Sequence, residues 1–152
     1  KDYSLLESNN SLARENGYGN KSITFLDNHD TGCINRTDCD NLFSKNVNEL
    51  TKGYAYLLTH PGIPMIWGYH YFFTDTTGSL RKDIDEFILI RKEMGINATS
   101  SVQVIEAING SSGYYVAEID SKLLIKIGDA PYIPSGTWIE LKSGSGYSIW
   151  SK

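Results

Sequence analysis

Hydrophobic positions along the chain follow two rhythms, and the change comes near Asn97. Upstream, short apolar runs alternate with stretches in which apolar residues recur every three or four positions. Residues 22 to 26, "SITFL", form a brief β-prone run of the kind found in a strand buried on both faces. A long polar loop follows over about 27–43, and long loops are often functional. From residue 47 to 58, Leu50, Tyr54, Leu57 and Leu58 recur at helical spacing and give one apolar face. Pro61 disfavours helical geometry in the residue before it, so this helix ends at His60. "IPMIW", residues 63 to 67, reads as a second buried strand, with Pro64 tolerable only near its start. A cluster of aromatics separates it from a second helix over 82–93. There Ile84, Phe87, Ile88 and Arg91 share a face, and the carboxylates come early and the cations late, as the helix dipole favours. The order strand, loop, helix, strand, loop, helix predicts a parallel sheet wrapped by helices.

Downstream the period becomes two. "SVQVIEAI", "GYYVAEID", "KLLIKIG", "TWIELKS" and "GYSIW" are five short runs separated by turn residues. They predict a five-stranded antiparallel domain, sandwich-like or Greek-key. The chain thus divides into an α/β part over 1–96 and an all-β part over 97–152.

Composition narrows the classes. The 152 residues carry a formal net charge of -4 with no basic stripe, which removes the electrostatic support that nucleic-acid binding needs. Apolar runs stop far short of the roughly 20 residues a membrane-spanning helix requires. The chain starts at Lys1 without a recognisable signal peptide and reads as an internal or processed piece. Asn9, Asn20, Asn35, Asn97 and Asn109 each open an Asn-x-Ser/Thr triplet, which points to a secreted or vacuolar/lysosomal location. Cys33 and Cys39 are compatible with a disulfide or with two free thiols, and no His stands at zinc-ligand spacing from them.

Candidate chemistry collects at the ends of the two predicted parallel strands. Asp27, Asn28, His29 and Asp30 follow the first, and Trp67, Tyr69 and His70 follow the second. In an α/β barrel such strand ends face one mouth. Carboxylates accept hydrogen bonds from vicinal hydroxyls and stabilise a developing oxocarbenium ion, while aromatic faces pack on sugar rings. The competing reading makes Asn-His-Asp-Thr-Gly a capping turn and the aromatics packing residues. His60 reads as a helix-terminal residue without a site role.

The combination of "SITFLDNHDTG", "KGYAYLLTHPGIPMIWGYHYF", "RKEMGINATS" and "YYVAEIDSKLLIKIG" resembles the C-terminal third of an α-amylase, of the plant-type branch of the retaining α-glucan hydrolases. The resemblance runs from about Ser22 to Lys152. It implies the last two βα units of a (β/α)8 barrel followed by the family's C-terminal antiparallel domain. Phe25 through Asp30 match the end of the seventh barrel strand, and Gly62 and Pro64 match the Gly-x-Pro of the eighth. By that resemblance Asp30 is the transition-state-stabilising carboxylate, and His29, with Asn28 beside it, contacts the sugar at the cleavage point. Plant-type members carry Phe-Tyr-Asp-His where this chain has Trp67, Gly68, Tyr69 and His70. Substrate contacts by Trp67 and Tyr69 therefore rest on aromatic chemistry alone. The link after Gly128 is also shortened relative to the family.

The resemblance implies an α-glucan substrate (starch, glycogen or maltooligosaccharides) and a structural calcium ion. It places the nucleophile, the acid/base and the calcium ligands on strands this chain does not contain, so the chain alone is expected to be inactive. It is also expected to need the N-terminal barrel portion or self-association to cover its open strands. A rival reading makes the five-stranded part a carbohydrate-binding or interaction module, with Trp138, Tyr147 and Trp150 stacking on sugars.

Overall fold

The computed structural model describes residues 2–7, 11–31 and 46–152. In chain order its elements are α1 (Ser4–Glu7), β1 (Ile23–Thr24), α2 (Val47–Thr59), β2 (Ile63–Pro64), α3 (Gly68–Phe72), α4 (Ser79–Glu93), β3 (Val102–Ile108), β4 (Tyr114–Ile119), β5 (Leu123–Gly128), β6 (Ile139–Gly144) and β7 (Tyr147–Ser151). Cys33, Cys39 and most of the polar loop after β1 lie outside the described residues.

β1 and β2 pair in parallel, with Ile23 opposite Ile63 and Thr24 opposite Pro64. The expected burial on both faces is not found. Ile23 is 62% exposed, and Phe25, Ile63 and Met65 are exposed as well. A strand is buried on both faces only when the sheet continues and helices cover each side. Among the described residues this sheet has two strands. Where α2 does cross it, the approach is close. A Cβ on Gly53 would stand 2.7 Å from the Leu26 side chain, so helix and strand meet at a bare backbone. Gly62 enters β2 at φ +97°, with the Thr24 methyl where its Cβ would point.

α2 matches its predicted span. Its start is capped by the Asn46 side chain, which accepts the Asn48 amide at 3.0 Å. His60 ends it in an extended conformation ahead of Pro61. The His60 ring is buried and stacked on Tyr56 at a centroid distance of 3.8 Å. Its Nδ1 lies 2.9 Å from the Tyr56 carbonyl, which can only accept, so Nδ1 carries the proton and Nε2 accepts from the Tyr115 hydroxyl at 3.0 Å.

α4 begins at Ser79, nearly a turn before its predicted start. The cause is Asp75, which accepts from the Thr77 amide at 2.9 Å, the Ser79 hydroxyl at 2.7 Å and the Leu80 amide at 2.9 Å. These donors hold its carboxyl below the usual carboxylate range. Periodicity gave no sign of α3, since five residues are too few to establish a period.

Arg91 of α4 ties the helices to β2. Its guanidinium donates to the carbonyls of Leu58 (3.0 Å), His60 (2.7 Å) and Gly62 (3.0 Å). It thereby satisfies carbonyls that the end of α2 leaves without helical partners. Replacing it with an apolar chain of similar length strands those acceptors. Arg91→Met is expected to destabilise the fold by about 2–3 kcal/mol, read as a lowered urea midpoint at unchanged slope. A midpoint equal to wild type would show that water replaces the guanidinium at no cost.

The five C-terminal strands lie within a residue or two of their predicted places and pair antiparallel in the order β3-β4-β5-β7-β6. The sandwich-like expectation is corrected, because there is one sheet rather than two. Its inner face, including Tyr115, Ile119, Ile125 and Ile149, packs on Leu50, Tyr54 and Leu58 of α2 and on Ile84 and Phe87 of α4 in one continuous core. Val116, Leu124 and Trp150 on the outer face are covered by Tyr132 and Trp138 from the segment between β5 and β6. With both faces occupied, no second sheet is required. The suggestion that Tyr147 and Trp150 stack on sugars is also corrected. Tyr147 packs edge-on to Phe87, and both side chains are buried. Trp138 is half-buried under the Lys152 ammonium, 4.7 Å from its ring centre. Lys142 of β6 closes the joint to α4 through Asp83 at 2.7 Å and through Glu86.

Candidate functional site

Past β1 the chain makes a tight turn organised by side chains. The Asn28 carboxamide oxygen accepts the amides of Asp30 (2.8 Å) and Thr31 (3.1 Å), the local bonding that makes Asn a turn former. Asn28 therefore shapes the turn, and its carbonyl oxygen is engaged there rather than facing solvent. The Thr31 hydroxyl lies 2.9 Å from Asp27 Oδ1 and 3.3 Å from Asn28 Oδ1, and the shorter contact takes its proton. Asp27 is 1% exposed.

The turn projects its two middle residues outward. The His29 and Asp30 side chains are 81% and 75% exposed, with Nε2 and Oδ1 3.3 Å apart. Neither is used in the core, so both are available to a ligand. As an exposed ion pair they add little to stability.

At the end of β2, Trp67 leads into α3. Its ring lies 5.2 Å from that of Tyr69 and edge-on to that of His70, at 4.8 Å. The row continues from Tyr69 to Phe73 at 5.9 Å, and Phe72 and Phe73 are well exposed. Arg81 of α4 covers Tyr71 from 4.8 Å. His70 is 1% exposed, and its Nε2 stands 3.6 Å from Asp27 Oδ2. On the other side of the ring, Nδ1 lies 2.9 Å from the hydroxyl of the fully buried Tyr54. Burial pulls the imidazole below its ordinary range against the opposing charge of Asp27. Burial likewise pushes the Tyr54 phenol up.

The two strand ends thus meet through a buried Asp27–His70 contact, while His29 and Asp30 on one side and Trp67 and Tyr69 on the other stay at the surface. Sequence reasoning placed Asp27 and His70 at the two strand ends without foreseeing that they meet, and it passed over Tyr54. The signal for Asp27 was a carboxylate directly after an apolar run. Tyr54 carried none, since it occupies a helical position where any large apolar residue fits. An exposed carboxylate and imidazole can hold the hydroxyls of a polyol, and half-buried aromatic rings can pack on its apolar face. Among the described residues, no group of three or more His, Cys, Asp or Glu side chains is placed to hold a metal ion, so they offer no fit for calcium. None of the described helices is long and apolar enough to cross a membrane. Of the sequon asparagines, Asn20, Asn97 and Asn109 are exposed, and Asn9 and Asn35 lie outside the described residues.

Residues 93–151 match the family model of the alpha-amylase C-terminal beta-sheet domain, the region of the five-stranded sheet. Over 135 residues the chain is 33% identical to the alpha-amylase type B isozyme of Hordeum vulgare, a match covering 87% of this chain and 80% of that sequence. The chain belongs to the α-amylase family. Within the family it is 38% identical over 133 residues to probable alpha-amylase 2 of Arabidopsis thaliana, covering 87% of this chain and 30% of that protein. It is also 25% identical over 136 residues to a glucan 1,4-alpha-maltotetraohydrolase of Stutzerimonas stutzeri, covering 84% of the chain and 23% of that enzyme. The amylase chain therefore spans under a third of the length of these two relatives.

Proposed function

We propose that this chain supplies the last two βα units and the C-terminal sheet of an α-amylase barrel, which hydrolyses internal α-1,4-glucosidic bonds of starch or glycogen with retention. The observation that carries the reading is the exposed His29–Asp30 pair on an anchored turn at a parallel strand end, in a chain of this family. Asp30 accepts sugar hydroxyls and favours the flattened, positively charged ring of the transition state. His29 donates to a hydroxyl at the same sugar, and Trp67 and Tyr69 offer faces for a neighbouring one.

A retaining mechanism needs a nucleophile and an acid/base about 5 Å apart. Asp27 is enclosed and bonded to Thr31, so it fills neither role. Both groups, with the calcium ligands, are assigned to the remainder of the barrel, and the chain alone is assigned no activity. The exposed Ile23, Phe25, Ile63 and Met65 are the apolar positions on which further barrel strands or a second copy would pack. The exposed sequons support a secretory location. Burial of Tyr147 and Trp150 weighs against a sugar-binding module.

The test compares the chain with the intact product of its gene on maltoheptaose. The chain is expected to release no reducing ends. The intact protein is expected to release products of α configuration, read from anomeric protons within the first minutes. Products of β configuration would overturn retention, hydrolysis by the chain alone would overturn the assignment of the missing groups, and inactivity of both would return the module reading.

A further inference from the structure

Asp30 is the carboxylate the family resemblance singles out, yet Asp27 is the one the fold has enclosed. A buried carboxylate is costly unless its oxygens are occupied. Here Oδ1 takes the Thr31 hydroxyl at 2.9 Å, and Oδ2 faces His70 Nε2 at 3.6 Å. That nitrogen is buried and has no hydrogen-bond partner within normal reach among the described residues, and the Asp27 carboxylate is the charge it faces. The carboxylate decides which nitrogen holds the proton, because a phenol hydroxyl can donate or accept at Nδ1. Tyr54 brings a hydroxyl to Nδ1 at 2.9 Å, and its donation there leaves the N–H at Nε2, pointing toward the carboxylate. The opposite tautomer would aim a bare lone pair at a buried anion. Burial keeps the ring neutral, so this arrangement holds a single proton whose position is fixed.

We propose that Tyr54, His70 and Asp27 are positioning residues. Through the Thr31 hydroxyl they fix the Asn28–Thr31 turn and with it the direction in which His29 and Asp30 leave the strand end. The line runs from α2 through α3 to the end of β1, so three elements set the aim of one exposed carboxylate. Its value for catalysis rests on the reading of Asp30 as a substrate-holding group, because a loosely held carboxylate loses the pre-organisation on which such stabilisation depends.

The first test needs no substrate and uses the intact gene product labelled with nitrogen-15. In wild type, His70 is expected to show a protonated Nε2 and a bare Nδ1. Tyr54→Phe keeps the ring and removes only the hydroxyl, and is expected to convert this to a mixture of tautomers and to shift the Asp30 and Thr31 amides. Thr31→Val, on an exposed residue of equal shape, is expected to speed hydrogen exchange at those amides roughly tenfold, with Thr31→Ser restoring it. A wild-type His70 protonated at Nδ1, or unchanged exchange in Thr31→Val, would overturn the proposal. In the intact gene product, Thr31→Val is expected to lower kcat at nearly constant KM, with rescue by Thr31→Ser. Equal losses in the valine and serine variants would show that any change at Thr31 is harmful whether or not the hydroxyl is kept, and would overturn the proposal. Inactivity of the wild type would overturn the amylase reading and leave the nitrogen-15 result to stand or fall alone.

Discussion

Asp30→Asn in the intact gene product is expected to lower kcat on maltooligosaccharides about 10²–10³-fold, with the fold unchanged. The change is nearly isosteric and falls on a side chain that is 75% exposed. The turn uses the backbone amide of Asp30 rather than its carboxylate, so Asn28 still accepts that amide in the variant. On the proposed function, what disappears is a carboxylate placed beside the sugar as positive charge develops on the ring. An amide can still accept hydrogen bonds from hydroxyls, so ground-state binding survives better than turnover, and KM is expected to move by less than kcat. The comparison requires initial rates together with a melting curve for each protein. A variant within tenfold of wild type, at equal melting temperature, would remove Asp30 from the mechanism. His29 provides a contrast, because on the proposed reading losing a hydrogen-bond donor to the sugar is expected to have a smaller effect than losing the carboxylate.

The second large effect is on stability and is set by pH. Burial lowers the His60 pKa from 6.5 to about 3 in the folded protein, while the unfolded chain keeps the ordinary value. Above pH 6.5 the ring is neutral in both states and contributes no pH dependence. Between 6.5 and 3 the unfolded chain binds a proton that the folded chain refuses, so stability falls as pH falls, by about 1.4 kcal/mol per unit. From pH 7 to 4.5 the loss is about 2–3 kcal/mol, a fall in Tm of roughly 5–10 °C for a protein of this size. His70 is shifted in the same direction and adds to the slope. The depressed carboxylates Asp75 and Asp120 act below the ordinary carboxylate range and stay out of this window. His60→Gln is expected to flatten the dependence between pH 6.5 and 4.5, leaving the share due to His70. Parallel slopes for the variant and the wild type would show that the His60 ring charges in place.

How much of this was legible depends on how local each cause is. α2 was readable because its apolar period runs the length of the helix and its stop, Pro61, is adjacent in sequence to the end it controls. The C-terminal strands were readable because each is a short apolar run closed off by turn residues, and several of them alternate. α4 was misjudged at its start because the cap is Asp75, several residues upstream and reached only once the loop has folded back. The sandwich was misread because sequence cannot say that helices, rather than a second sheet, cover the inner face. At the candidate site, Asp27, His29, Asp30, Trp67, Tyr69 and His70 stood out by type. Tyr54 did not, since it is sixteen positions from His70 and only the packed chain makes them neighbours.

The chain's change of rhythm near residue 97 suggests a seam, but the core described above crosses it. Tyr54, Leu58 and Phe87 on one side share a cluster with Tyr115, Ile125 and Ile149 on the other, and the His60–Tyr115 bond spans the same joint. Recombination between related genes at that point would hand the sheet a foreign pair of helices. Such a chimaera is viable only if the incoming helices bring compatible packing at α2 and α4. The sheet is therefore not a cassette that moves freely between proteins, and the helices over its inner face are the part of the lineage it must travel with.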